Sequence, residues 1–578
     1  MQYEVNFGRV GKATRVVPGP AFRLAVLGDF SGRANAGVLE TGSELAARKP
    51  RKVDVDNLDT LIERLGLSVS VPVNEDGDVI PVPIRSMDDF HPDQLVENIP
   101  VLEELLQIRR NLQSRTGFDR AAKQVLSWAG EKALPRPSRR ARGAAIATDR
   151  KLSDFARLTG RKPAAEVDQD DLIRRLVGPF IVPNRDPRQD VLIAQVDTAL
   201  SDAMRRILHH PDFQTAEALW RGLEFLVRTI ETDARMQIVL YDVSAEELAA
   251  DLAASDVLEE TGLFSLLVEQ PAQDASQGPL SMVAGLYQFE ATPPHADLLG
   301  RIAGVAAAAG AAFVTGIGPD ALRTPMHEWN PLSKQAWDAL RDLPASANLA
   351  LLTPRFLLRM PYGKKTDPID AFAFEEFTRQ GGLSGMLWGH PALLFANRIA
   401  ATWRRDGKAM KIGSLATVGD LPVYVYHDTD GEQIALPCTE RLFTERQAAQ
   451  IAATGVNPVV ALRGRPEVRI GGFASMAGAT LSGPWTPPVE APAAEPEPPP
   501  APEASDDDGA EPDSGTAAED DQDADSSDSS ATESSEPEAD SEAGSSDLDA
   551  LLSGLSDDTP AADDSADVDL DALLASLK

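Results

Sequence analysis

The chain has 578 residues and a formal net charge of −35, most of it concentrated at one end. From Thr486 to Lys578 there are 29 Asp and Glu against a single Lys, while the other 485 residues carry 54 basic and 61 acidic side chains. A mildly acidic body with an intensely acidic tail argues against nucleic acid as the main partner, because phosphate contact needs basic surface.

One cysteine, Cys438, excludes an intrachain disulfide and a Cys-based zinc site, and fits a reducing compartment. The opening MQYEVNFGRVGKATR lacks the apolar core of a signal peptide. The least polar run, Ile302 to Val314, is too short to span a bilayer. These features predict a cytoplasmic protein without membrane insertion.

In chain order, AFRLAVLGDF (21–30) reads as a buried strand running into a Gly-Asp turn. Residues 53–65 read as a short helix capped by Asp56 or Asn57, with Leu58, Leu61, Ile62 and Leu65 on one face. VSVPV and VIPVPI alternate about NEDGD, the pattern of a hairpin. A helical spacing of leucines from Pro92 to Leu112 is interrupted by Pro100, which should bend or break it. Residues 1–115 thus form a small α/β unit. A basic linker, 116–150, follows and contains PRPSRRAR, without the interleaved aromatics of a nucleic-acid contact.

Residues 151–485 form the second body. Helices are predicted over 190–208 and 213–229, then the strand MQIVLYDV and the helix SAEELAADLAA, with Ser244 as N-cap and Glu247 three residues on. The strand SMVAGLYQF, an Ala-rich helix running into FVTGIG, and the strand in ANLALLTPRF complete a βα alternation. Residues 486–545 have almost no large apolar side chains. They cannot offset an ordering cost of roughly 1–2 kcal/mol per backbone residue, and are expected to be disordered. The tail, 546–578, repeats D-L-D-A-L-L-x-x-L. Leu548, Leu551, Leu552 and Leu555 fall at i, i+3, i+4 and i+7, and Leu570, Leu573, Leu574 and Leu577 do the same. Each stripe is too short to be stable alone and suits a helix that folds into a partner's groove.

No constellation of residues points to catalysis. His209 and His210 are adjacent, so on a helix they point about 100° apart and cannot easily chelate together. The Pro211-Asp212 step after them fits a helix end and restart, with Phe213, Leu219, Trp220, Leu223 and Leu226 as core. GDFSG and TGIG lack phosphate-loop spacing, and Ser31 is in no G-x-S-x-G elbow. Nothing near Cys438 marks a histidine partner. The acidic pairs Asp88-Asp89 and Glu375-Glu376 read as caps or surface. No cofactor and no metal are expected. The remaining enzymatic alternative is an α/β enzyme of unknown substrate, which would need a convergent polar pocket.

YEVNFGRVGKATRVVPGPAFRLAVLGDFSGR, RKVDVDNLDTLIERL and IRSMDDFHPDQLVENIPVLEELLQIRRNL together resemble the small subunit of the type VI secretion contractile sheath, over nearly all of residues 2–113. ILHHPDFQTAEALWRGLEFLVRTIETD, SMVAGLYQFEATPPHADLLGRIAGVAAAAGAAFVTGIGP, LLTPRFLLRMPYG, LWGHPALLFANRIA and VGDLPVYVYHDTDGEQIALPC resemble the large subunit, within about residues 190–462. The LDALL repeats are similar, over about ten residues, to the acidic helix of flagellar switch proteins. The resemblance implies a fusion of both sheath subunits. Its fold class is then α/β, with small- and large-subunit-like parts packed together through one continuous apolar interface and a disordered acidic tail. It implies a structural, non-catalytic role in a sheath or sheath-like accessory. The implied partners are other sheath subunits or copies of itself, inner-tube or baseplate proteins, and an AAA+ unfoldase. After about Val460 the chain departs from the family pattern, and the large subunit's last strand-exchange element is expected to be missing. Tyr3, Val5 and Phe7, on one face of YEVNF, are then the candidates for an exchanged strand.

Overall fold

Seven consecutive buried residues, Phe22–Gly28, form strand β1 at the centre of a nine-stranded sheet. The computed structural model describes residues 6–7, 21–72, 78–114, 116–128, 189–274, 278–427 and 430–486. Tyr3, Val5, the tail leucines Leu548 to Leu577 and most of the basic linker lie outside the described residues. After β1 come the short strand β2 (Arg51–Val53) and the hairpin β3 (Ser68–Pro72) and β4 (Val79–Pro83). The later part supplies β5 (Met236–Asp242), β6 (Met282–Phe289), β7 (Ala312–Ile317), β8 (Leu349–Thr353), β9 (Phe356–Arg359) and β10 (Leu387–Gly389). It also supplies β11 (Thr417–Val418), β12 (Val425–His427), β13 (Gln433–Ala435), β14 (Val456–Ala461) and β15 (Val468–Ile470).

The main sheet runs β11-β15-β14-β8-β7-β6-β1-β5-β2. Its six central strands are parallel, and β2, β15 and β11 are antiparallel additions at the edges. Parallel strands covered on both faces read as continuous apolar runs, and this is the pattern of FRLAVLG. Leu24 and Val26 face one layer, with the helices Pro211–Thr229 and Pro391–Asp406; Ala25 and Leu27 face the other, with Ala245–Ala253 and Pro293–Ala309. The architecture is a three-layer α/β body; its α/β class is what the sequence pattern predicted.

Several local expectations hold in detail. The Pro92 helix ends at Asn98, and a new helix starts at Pro100, where the ring blocks continuation of the first. Ser244 and Glu247 form the reciprocal capping box. The hairpin pairs Ser68 with Pro83 and Pro72 with Val79. The stretch 53–65 differs. Residues 51–53 are strand β2, and the helix is Leu58–Leu65. Asn57 takes the N-cap position without a side-chain capping bond: Asp54 instead accepts from the N–H groups of Asp56 and Asn57, folding the approach into a local turn.

Candidate assembly interface

The junction between residues 21–128 and the part from residue 189 onward begins at β1. Its residues 22–28 pair with Met236–Asp242 on one side, and Leu24–Leu27 pair with Met282–Gly285 on the other. The N-terminal part therefore fills the middle of a sheet whose other central strands come from the C-terminal part. Phe22 adds a ring contact with Trp403 at 5.2 Å.

Beyond β1 the chain turns on carboxylates supplied by the C-terminal part. Asp242, at the end of β5, accepts from the N–H of Phe30 at 2.8 Å, the N–H of Ser31 at 3.1 Å and the Ser31 hydroxyl at 2.6 Å. Ser31 is thereby a backbone-positioning residue. The Trp220 indole donates to the Phe30 carbonyl at 3.0 Å, and the two rings meet edge-on. One turn into the next helix, buried Glu247 receives Arg33 at 2.9 Å and Arg48 at 2.8 Å, along with the Glu40 N–H at 3.0 Å. Burial pushes the Glu247 carboxyl up, but the bonds from Arg48, Ser244 and Arg33 outweigh it and leave it below the usual range. Four residues on, Asp251 accepts from Gly42 at 2.6 Å and Leu263 at 2.8 Å. Gly262 is required here: a Cβ on it would lie 2.2 Å from the Gly42 carbonyl oxygen. Glu247 and Asp251 thus use i,i+4 spacing on one helix face to bind the loop between β1 and β2.

At the far end of the junction, Arg109 pairs with Asp197, and Phe90 packs edge-on against Phe213. Asp93 accepts from the N–H groups of Asp370 and Ala371 at 3.0 Å. Of the strand-exchange candidates, Phe7 is described. It packs on the helix Pro293–Ala309 where Gly300 leaves room, while the Asn6 N–H donates to Asp297 at 3.0 Å.

The HHPDF segment is a helix boundary. The helix Gln189–Leu208 ends before it, and His210 Nδ1 accepts from the Asp212 N–H at 3.3 Å to start the next helix. The same device occurs at His91-Pro92 and His390-Pro391, with Nδ1 contacts of 3.2 and 3.3 Å. Proline sits where the helix has no N–H partner to lose, and the imidazole accepts one of the orphan donors. His209 lies on a different path, with Nε2 3.7 Å from Glu376. Among the described residues no group of three or more His, Cys, Asp and Glu is placed to hold a metal ion.

Glu376 corrects the surface reading of the Glu375-Glu376 pair. It is fully buried, and Arg359 bridges it to buried Glu217, donating to Glu376 at 2.7 and 3.1 Å and to Glu217 at 2.7 and 3.1 Å. The guanidinium also stacks on Tyr362, 4.1 Å from the ring centroid. Burial pushes the Glu376 carboxyl up, and Arg359 overrides it, bringing it down to about 2. Cys438 is buried, its thiol pushed up by burial and directed at the Glu467 carbonyl 3.6 Å away. These are features of a packed interior.

His390 gives a pH-dependent signature. Its Nδ1 accepts from Ala392 and its Nε2 lies 2.9 Å from the Tyr287 carbonyl, so the neutral ring protonated on Nε2 satisfies both. Burial lowers its pKa to about 4. The unfolded chain therefore binds the proton first: stability is fully present above about pH 6.5 and falls as pH drops toward 4. His390→Asn keeps an N-cap acceptor. The variant is expected to lose about 2 kcal/mol of the stability difference between pH 7 and pH 4.5, on about 1.4 kcal/mol per pKa unit. Urea unfolding of both proteins at the two pH values measures this; equal pH slopes would contradict it.

Comparison with known proteins gives the junction its meaning. Residues 1–124 match the family model described as "Type VI secretion system, VipA, VC_A0107 or Hcp2". Residues 190–477 match "EvpB/VC_A0108, tail sheath N-terminal domain", and the two regions together cover more than half of the chain. The chain joins a type VI secretion sheath small-subunit part to the N-terminal domain of a sheath large-subunit part. The large-subunit part is 31% identical over 288 residues to the "Type VI secretion system sheath protein TssC1" of Pseudomonas aeruginosa. That match covers 46% of this chain and 57% of the relative, so the chain spans little more than half of the relative's length. The interface described above is accordingly the seam between the small-subunit part, which supplies β1 and β2, and the large-subunit part, which supplies the remaining strands of the main sheet. Sequence reading alone missed Asp242 and Asp251 as seam residues. The i,i+4 pair Glu247 and Asp251 carried a signal, but no local pattern identifies which distant loop it binds.

Proposed function

We propose that the chain is a structural component of a type VI secretion contractile sheath, working by protein–protein assembly and not by catalysis. The observation that carries this reading is the shared sheet: β1 of the small-subunit part lies between β5 and β6 of the large-subunit part, so the two parts form one body. Fusion fixes their stoichiometry at one to one and makes their association intramolecular, which raises effective concentration without any new contact. The partners of this reading are other sheath subunits or further copies of the chain, inner-tube or baseplate proteins, and an AAA+ unfoldase, in the cytoplasm. The leucines Leu548, Leu551, Leu552 and Leu555, with Leu570, Leu573, Leu574 and Leu577, are proposed to fold into a groove on a partner. The test is electron microscopy of the purified chain, alone and with the host's other sheath proteins. Tubes or rings are expected in at least one preparation. Isolated particles in both, or turnover of a small molecule abolished by a point substitution, would overturn the proposal.

A further inference from the structure

Strand β2 ends the nine-stranded sheet, and among the described residues no strand pairs with its outer side. It lies in the run Arg48-Lys49-Pro50-Arg51-Lys52, four cations in five residues. Arg48 is engaged by Glu40 and Glu247. Lys49, Arg51 and Lys52, together with Arg64 from the following helix, have no carboxylate partner among the described residues, and all but Arg51 are exposed. A cleft of about 440 Å³ at the strand is lined by Lys49, Arg51 and Arg64, and by Glu40 and Asp242, whose carboxylates are already engaged by Arg33 and Arg48 and by Phe30 and Ser31. A second, of about 410 Å³, adjoins it through Tyr241 and Leu266 and is lined by Pro50 and Lys52 with Arg23 and Asp274. Unpaired positive charge therefore borders this sheet edge in a chain of net charge −35.

The edge is built against simple strand addition. It is three residues long, and the Lys52 carbonyl already accepts from the Asn57 side chain at 3.1 Å. Short, Lys-rich edges resist pairing with another strand. Recognition here falls to the cationic side chains and their clefts, which call for an anionic ligand.

We propose that this edge is a docking site for a carboxylate-rich peptide, and that its occupant is the acidic C-terminal segment of a neighbouring copy of the chain. Every copy supplies such a segment: 29 Asp and Glu against one Lys after Pro484 and Trp485. The charges are complementary, and the supply is stoichiometric in any assembly. A Debye length of about 8 Å at physiological salt screens the general repulsion between acidic molecules while leaving close contacts between carboxylates and these four cations. A nucleic acid fits less well, because the clefts offer no row of stacking aromatics and the whole chain repels phosphate. The docking does not depend on the sheath reading; it needs only a second copy.

The test uses the full-length chain and a fluorescent peptide of residues 546–578, followed by anisotropy. Binding is expected at 50 mM salt, weakening roughly tenfold by 200 mM. Replacing all four cations (Lys49→Gln, Arg51→Gln, Lys52→Gln, Arg64→Gln) should weaken it at least about tenfold with an unchanged melting midpoint. If that variant is unstable, Lys49→Gln and Arg64→Gln, both exposed, should each weaken binding several-fold. A peptide with every Asp changed to Asn should not bind. The chain's own segment competes for the same edge and is weakened by the same substitutions, so every arm uses full-length chain whose Asp and Glu after Trp485 are replaced by Asn and Gln. The proposal is overturned by absence of peptide binding at 50 mM salt, by equal binding of the neutral peptide, or by unchanged binding to the variants. It is also overturned if a DNA oligonucleotide or inorganic phosphate binds at this edge and the peptide does not.

Discussion

Residues 150–485 produced without residues 1–130 are expected to aggregate, and co-expression of the two fragments is expected to return both to solution as one complex. The reason is the position of β1. The fragment lacks β1 and β2, so β5 loses both of its neighbours, β6 exposes an unpaired edge, and both apolar layers open where β1 had been. Unpaired edges of this kind recruit other chains. Asp242, Glu247 and Asp251 would also lose the amides and guanidinium groups they bind. A single substitution gives the same result within the intact chain. Val26 is fully buried in β1, so Val26→Asp places an unpaired carboxylate in a dry layer, and a loss of more than about 4 kcal/mol is expected. Val55, 57% exposed just beyond β2, is the control: Val55→Asp should change stability by less than about 0.5 kcal/mol. Soluble yield and melting midpoint separate the two. A soluble, folded fragment 150–485, with no gain on co-expression, would show that the seam is not part of the core.

Much of this seam was legible in sequence, and its incompleteness has a physical cause. FRLAVLG announces a strand buried on both faces, the Ser244 box announces a helix start, and Pro100 announces a break. Each is a local signal acting within a few residues. The resemblance to two sheath subunits added that the parts belong together. The place of β1 in the sheet was hidden, because strand order is decided by pairing over more than two hundred residues of separation. Strand β2 was hidden for a different reason. An edge strand of three residues, two of them cationic, shows no alternation and reads as the approach to the next helix. The buried role of Glu376 was hidden as well. Its neighbour Glu375 is exposed, and only the fold brings Arg359 and Glu217 to it.

That triad gives the second large effect. Arg359 stands alone between two fully buried carboxylates, with Arg221 pairing a further side of Glu217. Arg359→Met keeps most of the side chain's volume and removes the charge. Glu376 is then left buried without its guanidinium partner, and a loss of about 3–5 kcal/mol at pH 7 is expected. The pH dependence should change sign. In the native chain Glu376 titrates at about 2, below its ordinary 4.5, so its contribution is fully present above about pH 4.5 and is lost as pH falls toward 2. In Arg359→Met, burial, the largest influence on this carboxyl, is opposed only by His209 and the Tyr362 N–H, and it is expected to raise the pKa above the unfolded value. The folded variant then takes up the proton first and gains stability relative to the native chain as pH falls from 7 to 5. Adding Glu376→Gln to Arg359→Met should recover part of the loss at pH 7, because a neutral amide costs less to bury than an unpaired charge. Thermal melts of the three proteins at pH 7 and pH 5 decide the matter. If Arg359→Met loses as much at pH 5 as at pH 7, and the second substitution restores nothing, then packing against Tyr362, and not charge compensation, is what Arg359 supplies.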